Sequence, residues 1–406
     1  MTLVELTPGQ RQLIDKIAKE NGFKDHQVKA ITGSAKGDNY LGVITSVTIE
    51  DGHNKLELVL KSSHVGEIRN QVPIRKAYQR EIFVYEQVFT KFKEIQEEYH
   101  ISEPFESFAK LYGTCDTESS ECLVMEDLRE SGYKMWNRKV PMNPEHISAV
   151  LKEYAKLHAV SFAMKEKQPE AFEDLTQSMK KHIFDEYFHD AEKTTQFTDT
   201  VMGSIFRTFL DDPVTTEALK GFKERLPDVF DEVFKQPAKE VVIDHGDGWC
   251  NNLMFQYENQ LDTTSPSTVR IIDWQLSKIS SPAMDLVHFF LVHSSKEVLH
   301  DYENYLKLYH ETLSKNLKEF SCDPETVFPY STLLEHWNKV VKMGIYMAFN
   351  MMKIMLCDSE EAPDLTEISD GGKNIMDVMN FTAKDTDTFN TRIKDLVEFS
   401  IENGFL

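Results

Sequence analysis

Cysteine is scarce in this chain and basic charge is in deficit, and each shortage narrows what the protein does. The 406 residues hold five cysteines, Cys115, Cys122, Cys250, Cys322 and Cys357. An odd number without a CxxC pair argues against a disulfide framework and against a zinc knuckle. Nothing in the sequence marks a depressed thiol pKa, so each is expected to be an inert core residue in a reducing compartment. Lys plus Arg number 45 against 67 Asp plus Glu, a formal charge of -22. Nucleic acid and anionic membranes select basic surfaces, so neither is an expected partner, and local cations must meet any anionic ligand. No run approaches ~18 apolar residues, and the first residues lack the basic-then-apolar order of a secretory signal. The expectation is a cytoplasmic protein. Repeats and low-complexity tracts are also missing, which leaves an ordinary globular composition, 41% apolar and 28% charged.

What is present suggests two lobes, since the length exceeds that of a usual single domain. Thr7 to Gln10 reads as a capping box with Pro8 at the first helical position, opening an amphipathic helix that runs to Asn21-Gly22. "LGVITSVTI" and "KLELVL", joined through Asp51-Gly52, predict a hairpin over 41–61. A helical pattern covers 72–97, and two short strands follow around the polar turn of "FAKLYGTCDTESSECLVMEDL". A β-rich lobe, 1–128, is expected to end near Leu128, with a mostly helical lobe, 129–406, after it. Asn143-Pro144 starts a strong helix through Met164. "VVIDHGDGWCNNLMFQY" and "TVRIIDWQ" predict a small hairpin set among helices. The fold class is α+β.

Glu81 falls inside the apolar stripe of the 72–97 helix, three residues after Tyr78 and four before Tyr85. A carboxylate there faces inward and calls for a cation. Lys61, at the end of "LELVLK", is the best placed; the alternative is a Glu that snorkels to water and a Lys that closes an edge strand. "HGDGWCNNLMF", residues 245–255, poses a sharper question, because Asp, Asn and Gly also favour ordinary turns. Phosphoryl transfer to a hydroxyl needs an aligned acceptor, a held triphosphate and Mg2+ against the developing charge. Asp247 can hold the acceptor and take its proton, while Asn252 and Asp273 supply oxygens for the metal. The order Lys61, Glu81, Asp247, Asn252, Asp273 is that of protein kinases, and the ordered set outweighs the turn reading.

Together with "KGDNY", "LVMEDL", "IIDWQ", "KLHAVSFA" and the tail "RIKDLVEFSIENGFL", this loop makes the chain resemble the ecdysteroid kinase-like family from about residue 30 onward. That family sits in the wider group of aminoglycoside phosphotransferases and choline kinases. The resemblance implies a two-lobed protein kinase-like fold, ATP and Mg2+ as cofactors, and phosphate transfer to a small-molecule alcohol. It implies Lys61 on the α and β phosphates paired with Glu81, Asp247 as catalytic base, and Asn252 and Asp273 as Mg2+ ligands. Backbone around Glu126 to Leu128 would meet the adenine, and Gly37, Asp38 and Asn39 of "KGDNY" would cover the phosphates; Lys36 is read as solvated. Trp274 stands where the family commonly has Phe, Gln275 where protein kinases have Gly, and no activation segment ends in Ala-Pro-Glu. A protein substrate is therefore disfavoured, and residues 161–240 and 296–406 are expected to fold over a small-molecule pocket. An ecdysteroid or related apolar sterol leads as acceptor. Choline, ethanolamine or a xenobiotic alcohol is the alternative, and a non-catalytic nucleotide- or ligand-binding protein is the rival of another class; no protein partner is implied. His158 reads as a satisfied core histidine, His245 and Asp285 as braces of the loop, and the Met-rich 343–355 as core.

Overall fold

A computed structural model describes residues 2–33, 42–180, 183, 191–235, 239–357 and 386–406. Helix α1 (Pro8–Glu20) begins with the expected capping box: Thr7 N–H donates to Gln10 Oε1 at 2.9 Å and Gln10 N–H to Thr7 Oγ1 at 3.3 Å. Its buried face, Ile14, Ile17 and Ala18, lies on one side of a five-stranded antiparallel sheet, packed with Val47, Ile49, Leu58, Leu60 and Val124. The strands are β1 (Gln27–Thr32), β2 (Gly42–Glu50), β3 (Lys55–Ser63), β4 (Leu111–Cys115) and β5 (Cys122–Glu126), in the order β1-β2-β3-β5-β4. The β2–β3 turn is closed by Asp51, whose Oδ1 accepts from His53 N–H at 3.2 Å and Asn54 N–H at 2.9 Å. The two short strands expected after the helix are β4 and β5, and Cys115 faces Cys122 across them. All five cysteines are free. Burial pushes the thiols of Cys122 and Cys250 up to about 12, so these two are inert.

The helical pattern expected over 72–97 is present as α2 (Ile74–Phe83) and α3 (Phe89–Glu98), continued one into the other through a π turn at Val84–Val88. Periodicity alone does not show a wider turn; here it keeps Val84, Tyr85, Val88 and Phe89 all buried.

Beyond the sheet the chain is mostly helical. Asn143 Oδ1 accepts from His146 N–H at 3.0 Å and caps α4 (Pro144–Lys167), which starts where expected and runs three residues past Met164. The interior hairpin is also present, as β8 (Leu253–Gln256) and β9 (Thr268–Ile271) with β6 (Lys134–Met135) on the far side of β8. A two-residue ladder, β7 (Val242–Ile243) against β10 (Ile279–Ser280), ties the approach to 245–255 to the segment after Asp273. Around these lie α5 (Pro169–Gln177), α6 (Ala191–Thr208), α7 (Pro213–Lys235), α8 (Pro282–His293), α9 (Tyr302–Glu319), α10 (Tyr330–Leu356) and α11 (Thr386–Glu402). Every residue of α8 is buried. Met343, Met352 and Met355 of α10 are buried in the main core, in keeping with the core reading of that segment. Among the described residues no helix is long and apolar enough to cross a membrane.

Helices α8 and α10 touch at Gly344, where an added Cβ would lie 2.6 Å from the Cβ of Val287. Neither atom can yield without a helix shifting, so Gly344→Ala is expected to lower unfolding stability by about 1–3 kcal/mol. Urea denaturation measures it, as a fall in the transition midpoint.

Candidate active site

Strand β3 delivers Lys61 to the sheet face that α2 covers, and the inward stripe of α2 delivers Glu81. The two meet, with Lys61 Nζ 2.6 Å from Glu81 Oε2. The same ammonium lies 2.6 Å from Asp273 Oδ1. Lys61 and Glu81 are almost wholly shielded, 3% and 0% exposed. Glu81 keeps its second oxygen occupied by accepting the N–H of Trp274 at 3.3 Å. One cation thus faces two anions. Burial, together with the charge of Asp273, lifts the Glu81 carboxyl to about 7 despite the pull of Lys61. For Lys61 burial acts downward, but the attraction of Asp273 and Glu81 outweighs it and the net shift is upward.

The loop entering Asp247 is held from below by Asp285, near the start of α8. Its Oδ2 accepts the N–H of His245 at 2.8 Å and its Oδ1 that of Gly246 at 2.9 Å. His158 Nε2 donates to Asp285 Oδ2 at 3.2 Å, while its Nδ1 accepts from Tyr309 Oη at 2.8 Å. Burial acts to raise the Asp285 carboxyl, but the His158 hydrogen bond and the surrounding donors overcome it and hold the group far below its ordinary range. His245 Nε2 meets the carbonyl of Ile272 at 3.0 Å, so that nitrogen carries the proton and Nδ1 is free to accept from Asp247 N–H, at 3.4 Å. His158 is therefore satisfied on both nitrogens, and His245 ties the loop to the strand that ends in Asp273. Gly246 has φ +81°, and a Cβ there would sit 2.5 Å from Leu276 O, so glycine is required twice over.

Asn252 closes the one-turn 3-10 helix Cys250–Asn252. Its Nδ2 donates to Asp247 O at 3.0 Å and Asp247 Oδ2 at 2.9 Å, and its own carbonyl accepts Ile272 N–H at 3.0 Å. With the amide nitrogen so placed, Oδ1 is the atom left to ligate. Asp273 adopts φ 67°, ψ 65°, a left-handed conformation uncommon for a residue with a side chain. Burial, then the charge of Asp273, pushes the Asp247 carboxyl up to about 7, with Asn252 and Lys61 acting the other way.

These oxygens suit a hard divalent cation. Asp273 and Asn252 offer a carboxylate and an amide oxygen, and Lys61 alone faces the two carboxylates of Glu81 and Asp273. Among the described residues no three His, Cys, Asp or Glu side chains form a closed cage. Mg2+ does not require one, since it retains water and phosphate oxygens beside one or two protein ligands.

Glu126 ends β5 and Leu128 is buried just after it. Gly37, Asp38 and Asn39, with Lys36, lie outside the described residues. The structure adds Asp244, Lys278 and Arg80, which sequence reading missed. Asp244 is fully buried and accepts from Lys278 N–H and Lys278 Nζ, both at 2.8 Å, and from Ser280 Oγ. Arg80 donates to the carbonyl of Ser277.

A model of the ecdysteroid kinase-like family matches residues 36–322, well over half the chain. No curated protein matches it. Among solved structures the chain is similar to a choline kinase from Cryptosporidium parvum Iowa II, with 13% identity, 98% of each chain covered and a TM-score of 0.43. It is also similar to an ethanolamine kinase from Plasmodium vivax, with 13% identity, 95% of this chain and 85% of that one covered, and a TM-score of 0.40. A GDP complex of an aminoglycoside 2'-phosphotransferase gives 10% identity, 97% and 98% coverage and a TM-score of 0.40.

The Asp247 carboxyl holds its proton more tightly folded, near 7, than at its ordinary value of 3.8. A raised acid lends stability at low pH that is lost as pH climbs through the window between those values. Asp247→Asn removes that loss. In the absence of metal and nucleotide it is expected to be more stable than wild type at pH 8 by about 4 kcal/mol, with the difference shrinking toward pH 4. Urea unfolding at the two pH values checks the sign.

Proposed function

Since the chain belongs to the ecdysteroid kinase-like family, we propose that its two-lobed, protein kinase-like α+β fold transfers the γ-phosphate of ATP to a hydroxyl of a small molecule. The observation that carries this reading is one buried constellation: Lys61 bonded to both Glu81 and Asp273, with Asp247 bonded to Asn252. In this reading Lys61 holds the α and β phosphates and Glu81 keeps it aimed. Asp273 and the Oδ1 of Asn252 hold Mg2+, which supplies charge stabilisation to the phosphates when bound. Asn252 fixes Asp247 through Oδ2 and leaves Oδ1 toward the acceptor. The acceptor oxygen forms its bond to the γ-phosphorus, the bond to the departing ADP oxygen breaks, and the acceptor proton passes to Asp247. A carboxyl lifted to about 7 is well matched to that task near neutral pH. Backbone at Glu126 to Leu128 meets the adenine, so the nucleotide sits against residues 1–128 and the acceptor against 129–406. Free thiols, four of the five buried, fit a cytoplasmic setting.

An ecdysteroid or related apolar alcohol is the proposed acceptor, on the strength of the family. The burial of Met343, Met352 and Met355 in the core lends no separate support to a sterol, and choline, ethanolamine or a xenobiotic alcohol remains the alternative.

Asp247→Asn is expected to keep ATP binding while turnover falls by about three orders of magnitude. Mass spectrometry of wild-type protein with MgATP and a panel of ecdysteroids, sterols and amino alcohols identifies the acceptor by a gain of one phosphoryl group. If ATP binds and the Asn variant turns over as wild type does, Asp247 is not the base. If no acceptor gains phosphate, the non-catalytic reading replaces this one.

A further inference from the structure

Arg80 stands one residue before Glu81 on α2 and reaches a part of the molecule that Glu81 does not. Nη1 donates to the carbonyl of Ser277, and Nη2 donates to the carbonyl of Ser178, just past α5, at 3.2 Å. Burial pulls the guanidinium below its ordinary pKa against the attraction of Asp244, so a cation has been drawn from water to make these contacts. Ser277 closes the 3-10 turn Trp274–Leu276 that begins at Asp273. The Ser277 N–H donates to Trp274 O at 3.2 Å and its hydroxyl donates to Asp244 O at 2.5 Å. At the other end of the turn, Glu81 accepts the N–H of Trp274. Neighbouring residues of one helix therefore grip both ends of the turn that displays Asp273, whose left-handed backbone would not hold itself there.

We infer that Arg80 is a positioning residue for the Asp273 carboxylate, fixing its turn through Ser277 and registering that turn on the end of α5 through Ser178. This rests on the reading of Asp273 as a Mg2+ ligand. The flexible stem of Lys61 can follow a displaced carboxylate. Two oxygens that must share one small octahedral ion cannot. Loss of Arg80 therefore shows in the metal dependence of nucleotide binding before it shows in metal-free binding.

The test titrates ATP binding to the full chain, with and without Mg2+, for wild type, Arg80→Met, Arg80→Lys and Arg75→Met. Arg75 is a control on the same helix, bonded instead to Glu121 at 2.9 Å. Arg80→Met is expected to raise the Mg2+ concentration for half-maximal enhancement by about tenfold, to keep metal-free affinity, and to recover in excess Mg2+. Arg80→Lys should fall between, and Arg75→Met should follow wild type. The positioning role is overturned, with the phosphotransfer reading intact, if Arg80→Met keeps the wild-type Mg2+ dependence. It is equally overturned if that variant loses metal-free and Mg2+-dependent binding in the same proportion along with thermal stability. If wild type shows no Mg2+ enhancement, the metal assignment of Asp273 fails and the inference fails with it.

Discussion

One buried ammonium group balances two carboxylates, and the arrangement of the sheet, α2 and the interior hairpin follows from keeping it balanced. Lys61 lies 20 residues from Glu81 and 212 from Asp273 in sequence, yet touches both. Taking Lys61 away would leave two facing carboxylates in a nearly dry setting, at a cost of about 3–5 kcal/mol. That cost couples the sheet to the C-terminal region more tightly than apolar packing would, because a hydrophobic contact tolerates sliding and an ion pair at this depth does not. It also leaves net negative charge among the side chains, a ready attraction for a cation.

Two buried aspartates in the loop region show how neighbours decide whether the effect of burial on a carboxyl prevails or is overcome. Asp285 and Asp247 are both buried, but Asp285 is driven far down and Asp247 up to about 7. The first collects two backbone N–H groups and an imidazole. The second has one amide partner for its side chain and Asp273 for a neighbour. Asp285 is thereby a fixed anion that shapes the loop. Asp247 is a carboxyl raised to near neutrality, which accords with the base role proposed for it.

Much of this was legible in the chain. The capping box at Thr7, the hairpin through Asp51-Gly52 and the helix start at Asn143-Pro144 are local signals, carried by residues that satisfy their own neighbours' backbone groups. Glu81 was legible because a carboxylate interrupts an otherwise apolar stripe. Arg80 left no such trace, since its partners are the carbonyls of Ser277 and Ser178, and any residue type supplies a carbonyl. Asp244 and Lys278 were equally silent. They meet because β7 and β10 pair, and strands of two residues each are too short to read from sequence. The left-handed backbone of Asp273 is imposed by its surroundings and not by its own preference.

The π turn at Val84–Val88 adds a further property to the helix that carries Glu81. Successive residues of a helix are rotated by about 100°, so a turn with one residue to spare acts as a phase spacer between α2 and α3. It lets the aromatic face of α3, where Phe89 stacks on Phe108 at 3.9 Å, be set independently of the direction in which Glu81 points. Five residues of π turn rotate the chain about as far as four of α-helix, so loss of one residue within 84–88 would let the turn close to an ordinary α turn with Glu81 and Phe89 near their present directions. An added residue there has no such slack and would swing Phe89 away from Phe108.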